Sequence, residues 1–181
     1  MNRDPICEEC GFEYEALAPA DVPAQLRSFA KRYRAPLTRF LRDEDGDALV
    51  RQRPAPAVWS ALEYAAHVRD VFANDARWID QCMEEDRPTL QGPGPDELAT
   101  AGRYNEADPV AVADALAANA EALAARIEAV PADGWDRVGL RRGEERSVLL
   151  QARRAVHEGS HHLLDIGRGL RSVREQHKAA G

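Results

Sequence analysis

Apolar side chains return every three or four residues along four stretches of this sequence, and that period leaves little choice of architecture. Val22, Leu26, Phe29, Tyr33, Leu37 and Phe40 predict a first amphipathic helix over about 21–43, with Pro36 expected to kink it. Ser60, with Glu63 three residues later, forms a capping-box pattern and predicts a second helix over about 60–85. One face of that helix carries Tyr64, His67, Val71, Trp78 and Cys82. Asp108 before Pro109 opens a third, whose stripe is Val112, Leu116, Ala120, Leu123, Ile127 and Val130, and Pro131 stops it. A fourth, over about 148–169, turns Leu149, Val156, Ser160, Leu163 and Leu170 inward. With almost no strand pattern beyond a short extended piece near 138–140, the expectation is an all-α four-helix bundle with long crossover connections.

The rest of the chain is punctuation. Residues 1–20 have no helical period and read as an N-terminal arm carrying Cys7 and Cys10, residues 21–172 as the bundle, and 173–181 as a charged tail in which His177 is solvated. The connection at 86–108 holds Pro88, Pro93 and Pro95, and one so long in a compact domain suggests a lid.

Charge narrows the partners. Twenty-four Lys and Arg against 31 Asp and Glu leave −7, a field that repels nucleic acid and anionic membranes. The longest uncharged stretch, residues 54–62, is too short to span a bilayer, and MNRDPICEEC lacks the apolar core of a signal peptide, so a cytoplasmic location is expected. Three cysteines do not make a disulfide framework. Abundant Ala and Arg with few Lys and Ile suit a GC-rich bacterial genome.

The sharpest chemical feature is RRAVHEGSHHLLDIG. On a helix His157 and His161 lie one above the other, about 6 Å apart along the axis, so two imidazoles can converge on one ion. A stable site needs a third ligand. His67, on the aromatic face of the second helix, completes a site of His67, His157 and His161, while His162 points about a quarter-turn away. An isolated HxxxH is also common without a metal, and an interior imidazole needs only a hydrogen-bond partner.

PAPAVWSALEYAAHVRDV resembles the second-helix signature of the DinB-like (DinB/YfiT-like) four-helix metalloprotein superfamily, and RSVLLQARRAVHEGSHHLLDIGRGL resembles its last core helix. The likeness covers roughly residues 20–172 and implies that His67, His157 and His161 take the ligand positions. It further implies a divalent metal, zinc or nickel first and iron next, and a thiol S-transferase or isomerase that uses a small thiol such as mycothiol on a small electrophile. Three imidazoles leave the metal an open position at which water or a thiol becomes a nucleophile.

Around such a site Arg103 and Tyr104 would line the substrate's path, and Asp70, Glu158 and Asp165 would accept hydrogen bonds or carry protons, unless they are ordinary solvated helix charges. Trp59, Trp78 and Trp135 read as core, and Cys82 as a small buried apolar group. Cys7 and Cys10 form CxxC, able to hold half a zinc site or to cycle as a dithiol. No second cysteine pair completes a ribbon, so a structural metal, a redox couple and no special role all stay open, as does pairing across a homodimer. A non-catalytic metal- or ligand-binding bundle and a CxxC redox protein are the competing functions.

Overall fold

Four long helices form where the four stripes predict them, in a computed structural model that describes residues 6–90 and 92–180. They are α1 (Val22–Thr38), α3 (Ala61–Glu84), α5 (Pro109–Glu128) and α6 (Val148–Ala180), with short helices α2 (Gly46–Arg51) and α4 (Pro95–Ala101) in the connections. α1 and α3 each pack against both α5 and α6, which puts α1 and α3 on one diagonal of the bundle. The stripes meet in a core that includes Leu26, Phe29, Tyr33, Leu62, Phe72, Trp78, Leu116, Leu123 and Ile127. Each such side chain contributes about 1.5–3 kcal/mol by leaving water.

The ends of the helices follow local chemistry. α3 begins with a full capping box, Ser60 accepting from the Glu63 N–H at 3.1 Å and Glu63 from the Ser60 N–H at 2.9 Å. Asp108 caps α5 through the Ala111 N–H at 2.7 Å. α1 is shorter than its stripe suggests: Pro36 stands in its last turn, and the chain leaves at Thr38 into a turn where the Leu41 N–H donates to Glu44. α6 is longer than expected and runs through the supposed tail. Leu170 and Val173 are buried, Arg174 pairs with Glu44 at 2.6 Å, and His177 bonds Gln52 at 2.7 Å, so these residues have partners that water alone would not supply.

The long connections are built rather than slack. Strands β1 (Thr89–Leu90), β2 (Val138–Arg141) and β3 (Glu144–Ser147) form a small sheet in which β1 is parallel to β2 and β2 antiparallel to β3. The β2–β3 turn has positive φ at both Arg142 and Gly143, the pairing that suits a two-residue hairpin. After α4, the 3-10 turn Tyr104–Glu106 is anchored by Asn105, which accepts from Ser60 Oγ at 2.7 Å and donates to the Arg51 carbonyl at 2.9 Å.

One contact fixes α6 against α1. Gly159 lies so close to Phe29 that a Cβ would stand 2.6 Å from its ring, and the buried Tyr33 hydroxyl donates to the Gly159 carbonyl at 2.8 Å. Any larger residue there would have to displace the buried Phe29 ring.

Candidate metal centre

Two rows of donors run side by side on α6, one residue out of step. Glu158, His162 and Asp165 form one row, His157 and His161 the other, and consecutive helical residues point about 100° apart. The first row faces α3, where His67 projects from the buried stripe, and the second faces the N-terminal arm.

His67, Glu158 and His162 bring one donor atom each to within 4.8 Å of one another. Glu158 Oε2 lies 3.6 Å from His67 Nε2 and 3.4 Å from His162 Nε2, and the two rings stand nearly perpendicular with centroids 5.0 Å apart. Zinc bonds of 2.0–2.1 Å in a tetrahedron set such donors roughly 3.4 Å apart, so the residues fit a divalent ion. His162 Nδ1 is held by Asp165 at 2.9 Å, which aims Nε2 at the cluster in the way metal-binding histidines are usually oriented. Tyr64 stacks on His162, and Trp59 packs on His67.

Charge in the cluster is balanced by protons when no cation is there. Burial disfavours the Glu158 carboxylate, but hydrogen bonds from His162 and His67 outweigh it and hold the group well below the usual carboxylate range. Burial likewise disfavours the His162 imidazolium, yet Asp165 and Glu158 raise it to about 9.

A cavity of about 200 Å³ opens beside His67 and Glu158. Asp70, Val71 and Asp75 of α3 form one wall, Arg141, Arg142 and Arg146 of the hairpin another, Gln151 and Arg154 of α6 a third, and Pro93, Pro95 and Leu98 of the long connection the rest. Arg154 lies 3.6 Å from Glu158. Asp75 is fully buried and accepts from Gln151 at 2.6 Å, and desolvation with the nearby Glu158 charge raises its pKa to about 7.

The three histidines chosen from sequence do not share one cluster. His157 and His161 come together, but with Cys7 and Cys10, whereas His67 meets His162 and Glu158. The reason is the 100° step: both rows have i, i+4 spacing, and a glutamate in the first disguises it when only histidines are counted. Glu158, expected to support the ligands, offers a ligand oxygen itself.

Arg103 and Tyr104, expected along one path, part ways. Arg103 is mostly exposed and pairs with Glu106, outside the cavity, because it sits in a left-handed conformation just after α4 ends. Tyr104 is buried, and its hydroxyl donates to Asp70 at 2.5 Å while Arg69 donates to the same carboxylate at 2.7 Å. Asp70 thus reaches the cavity as a held acceptor. Cys82 lies away from the histidines, against Gly139 of β2, and burial pushes its thiol up to about 11. His162, set aside in the sequence for its quarter-turn offset from His161, is a donor of the cluster, whereas Asp75 and Gln151 are not among the residues singled out by sequence. Asp75 continues the spacing of four from His67 through Val71, a signal that was there to read.

On the other row, Cys7 Sγ stands 3.7 Å from His161 Nδ1, and the Tyr14 hydroxyl is bonded to His157 Nδ1 at 2.8 Å. His161 Nε2 faces Glu9 at 3.2 Å and Asp165 at 3.6 Å. Phe12 and Tyr14 pack their rings on His157.

Residues 20–166 match the family model described as the DinB superfamily. The fold is similar to that of YfiT from Bacillus subtilis, with a TM-score of 0.76 and 13% identity over 94% of this chain and 91% of that one. YfiT is described as a probable metal-dependent hydrolase with an unusual four-helix bundle topology. No curated protein matches the sequence.

Proposed function

For a chain that belongs to the DinB superfamily, we propose a divalent-metal-dependent enzyme that turns a small nucleophile on a small, anionic electrophile. The observation that carries this reading is the convergence of His67, Glu158 and His162 beside an arginine-lined cavity. Two imidazole nitrogens and one carboxylate oxygen are the donor set of zinc hydrolytic sites, and also suit nickel or iron(II). A divalent ion held by these donors would keep an open position and lower the pKa of a water or thiol there.

The chain's own groups do the rest. Asp165 fixes the His162 ring, and Tyr104 with Arg69 fixes Asp70 on the cavity wall. Arg141, Arg146 and Arg154 favour a substrate carrying carboxylate or phosphate, since guanidinium groups match those anions. Asp75, with its pKa near 7, is suited to take up or return a proton at neutral pH.

The nucleophile is read as a low-molecular-weight thiol of the mycothiol kind, which the sequence resemblance favours and a cytoplasmic setting would keep reduced. The description of YfiT favours water instead. Zinc- or nickel-loaded protein is expected to consume thiol when given a carboxylate-bearing electrophile, and Glu158→Gln to lose turnover with its fold intact. Cleavage of an activated ester without thiol consumption would shift the reading to water. Full turnover after complete metal removal would overturn both.

A further inference from the structure

We propose that Cys7, Cys10, His157 and His161 hold a second, structural zinc ion that fastens the N-terminal arm to α6. This goes beyond the reading of the cavity and does not depend on it.

The sequence carries the spacing: Cys-x2-Cys in the arm and His-x3-His on a helix are the two halves of a Cys2His2 zinc site. In the fold the halves meet, each residue bringing one donor atom to within 4.8 Å of the others. Zinc bonds of about 2.3 Å to sulfur and 2.0–2.1 Å to nitrogen set those donors roughly 3.6 Å apart in a tetrahedron. Cys7 Sγ and His161 Nδ1 are 3.7 Å apart.

The outer atoms of both rings are already occupied in the sense that metal binding requires. Tyr14 holds His157 Nδ1, which leaves Nε2, and that nitrogen is buried with no partner among the described residues. A buried ring nitrogen without a partner is unusual and calls for an explanation. Glu9 and Asp165 face His161 Nε2, which leaves Nδ1 for the sulfur side.

The arm is folded to present its thiols. The Cys7 N–H donates to the Phe12 carbonyl at 2.9 Å, the Gly11 N–H returns to the Cys7 carbonyl at 2.7 Å, and Gly11 takes a positive φ of 71° to close the turn. The backbone N–H of Phe12 is directed at the Cys10 sulfur. Beyond polar contacts such as the Arg153 bond to the Leu17 carbonyl at 3.0 Å, the segment has little apolar anchorage: Phe12 and Leu17 are only partly buried against the core, and Ile6 is exposed. A cross-link through metal supplies what so small an apolar contact does not.

Two thiolates and two imidazoles fill all four positions, so this site has no place for substrate, unlike the cluster at His67. The softness of the sulfur ligands favours zinc.

The test uses the full chain. Reconstituted with cobalt(II), it is expected to show the sulfur-to-metal charge-transfer band and the intense d–d bands of a tetrahedral thiolate site. The Cys7→Ser, Cys10→Ser double variant should lose both, and His67→Ala should keep them. Zinc content should fall by one equivalent in the double variant. Should that variant fail to fold, alkylation of the wild type decides: removing zinc should speed the reaction at Cys7 and Cys10 and leave buried Cys82 unchanged. Equal alkylation with and without zinc, a Cys7–Cys10 disulfide in freshly purified protein, or a cobalt spectrum without sulfur bands would each overturn the proposal.

Discussion

The two faces of α6 gather different donor sets from the same spacing. On one, Glu158 and His162 meet His67 beside a cavity, an N, N, O set with room for a reactant. On the other, His157 and His161 meet two thiols of the arm, an S, S, N, N set that is complete without any. On the proposed reading, a rotation of one residue along the helix, about 100°, separates chemistry from fastening. The lesson is that donors four apart fix only half a metal site, and the neighbour they face decides what the site is for.

That contrast breaks most visibly at the ligands. His162→Ala is expected to lower turnover and metal affinity at the cavity by at least roughly 100-fold, more than the usual cost of a supporting residue. His157→Ala should leave turnover within a few-fold and release the arm instead, seen as faster proteolysis within residues 6–18. If His157→Ala abolishes turnover and His162→Ala does not, the assignment of the two faces is reversed.

Asp75 sharpens the difference, since it belongs to the cavity side alone. Its pKa is near 7 in the folded chain against about 4 unfolded, so between those values the folded state keeps a proton the unfolded state has lost. Stability therefore falls as pH rises from about 4 to about 7 and levels off above. Asp75→Asn should match the wild type near pH 4 and exceed it at pH 8 by on the order of 2–4 kcal/mol, read from urea melts of metal-free protein. An equal difference at both pH values would assign the effect to packing rather than charge.

The smallest effect concerns the fastening side. Tyr14→Phe removes the bond to His157 Nδ1 and should weaken zinc retention there by about 10-fold, measured by competition with a chelator, with cavity turnover unchanged.

The bundle was legible because each helix carries a stripe with its own stop signals: the Ser60–Glu63 box, Asp108 with Pro109, and Pro131 all lie where the helices begin or end. What period could not reveal was tertiary. The last turns of α6 are held by Glu44, Gln52 and Pro54, which are distant in sequence, so residues 173–180 looked like a tail. The site was half legible. His67 and the importance of the segment 157–165 were plain from residue type, but the partners of each row depend on how α6 is rolled about its axis. The CxxC and HxxxH pairs were both visible, yet nothing local joins residues about 150 apart.

Gly159 lies about 100° round α6 from Glu158, on the side turned to α1, and its missing side chain has a reach beyond its own volume. With the Phe29 ring pressed against its Cα and its carbonyl accepting from Tyr33, α6 is keyed to α1 in one register. A one-residue roll would swap the donors offered to His67 and to the arm. The smallest residue in the segment thus sets the phase of everything around it, and both faces inherit their identity from a place where neither has a ligand.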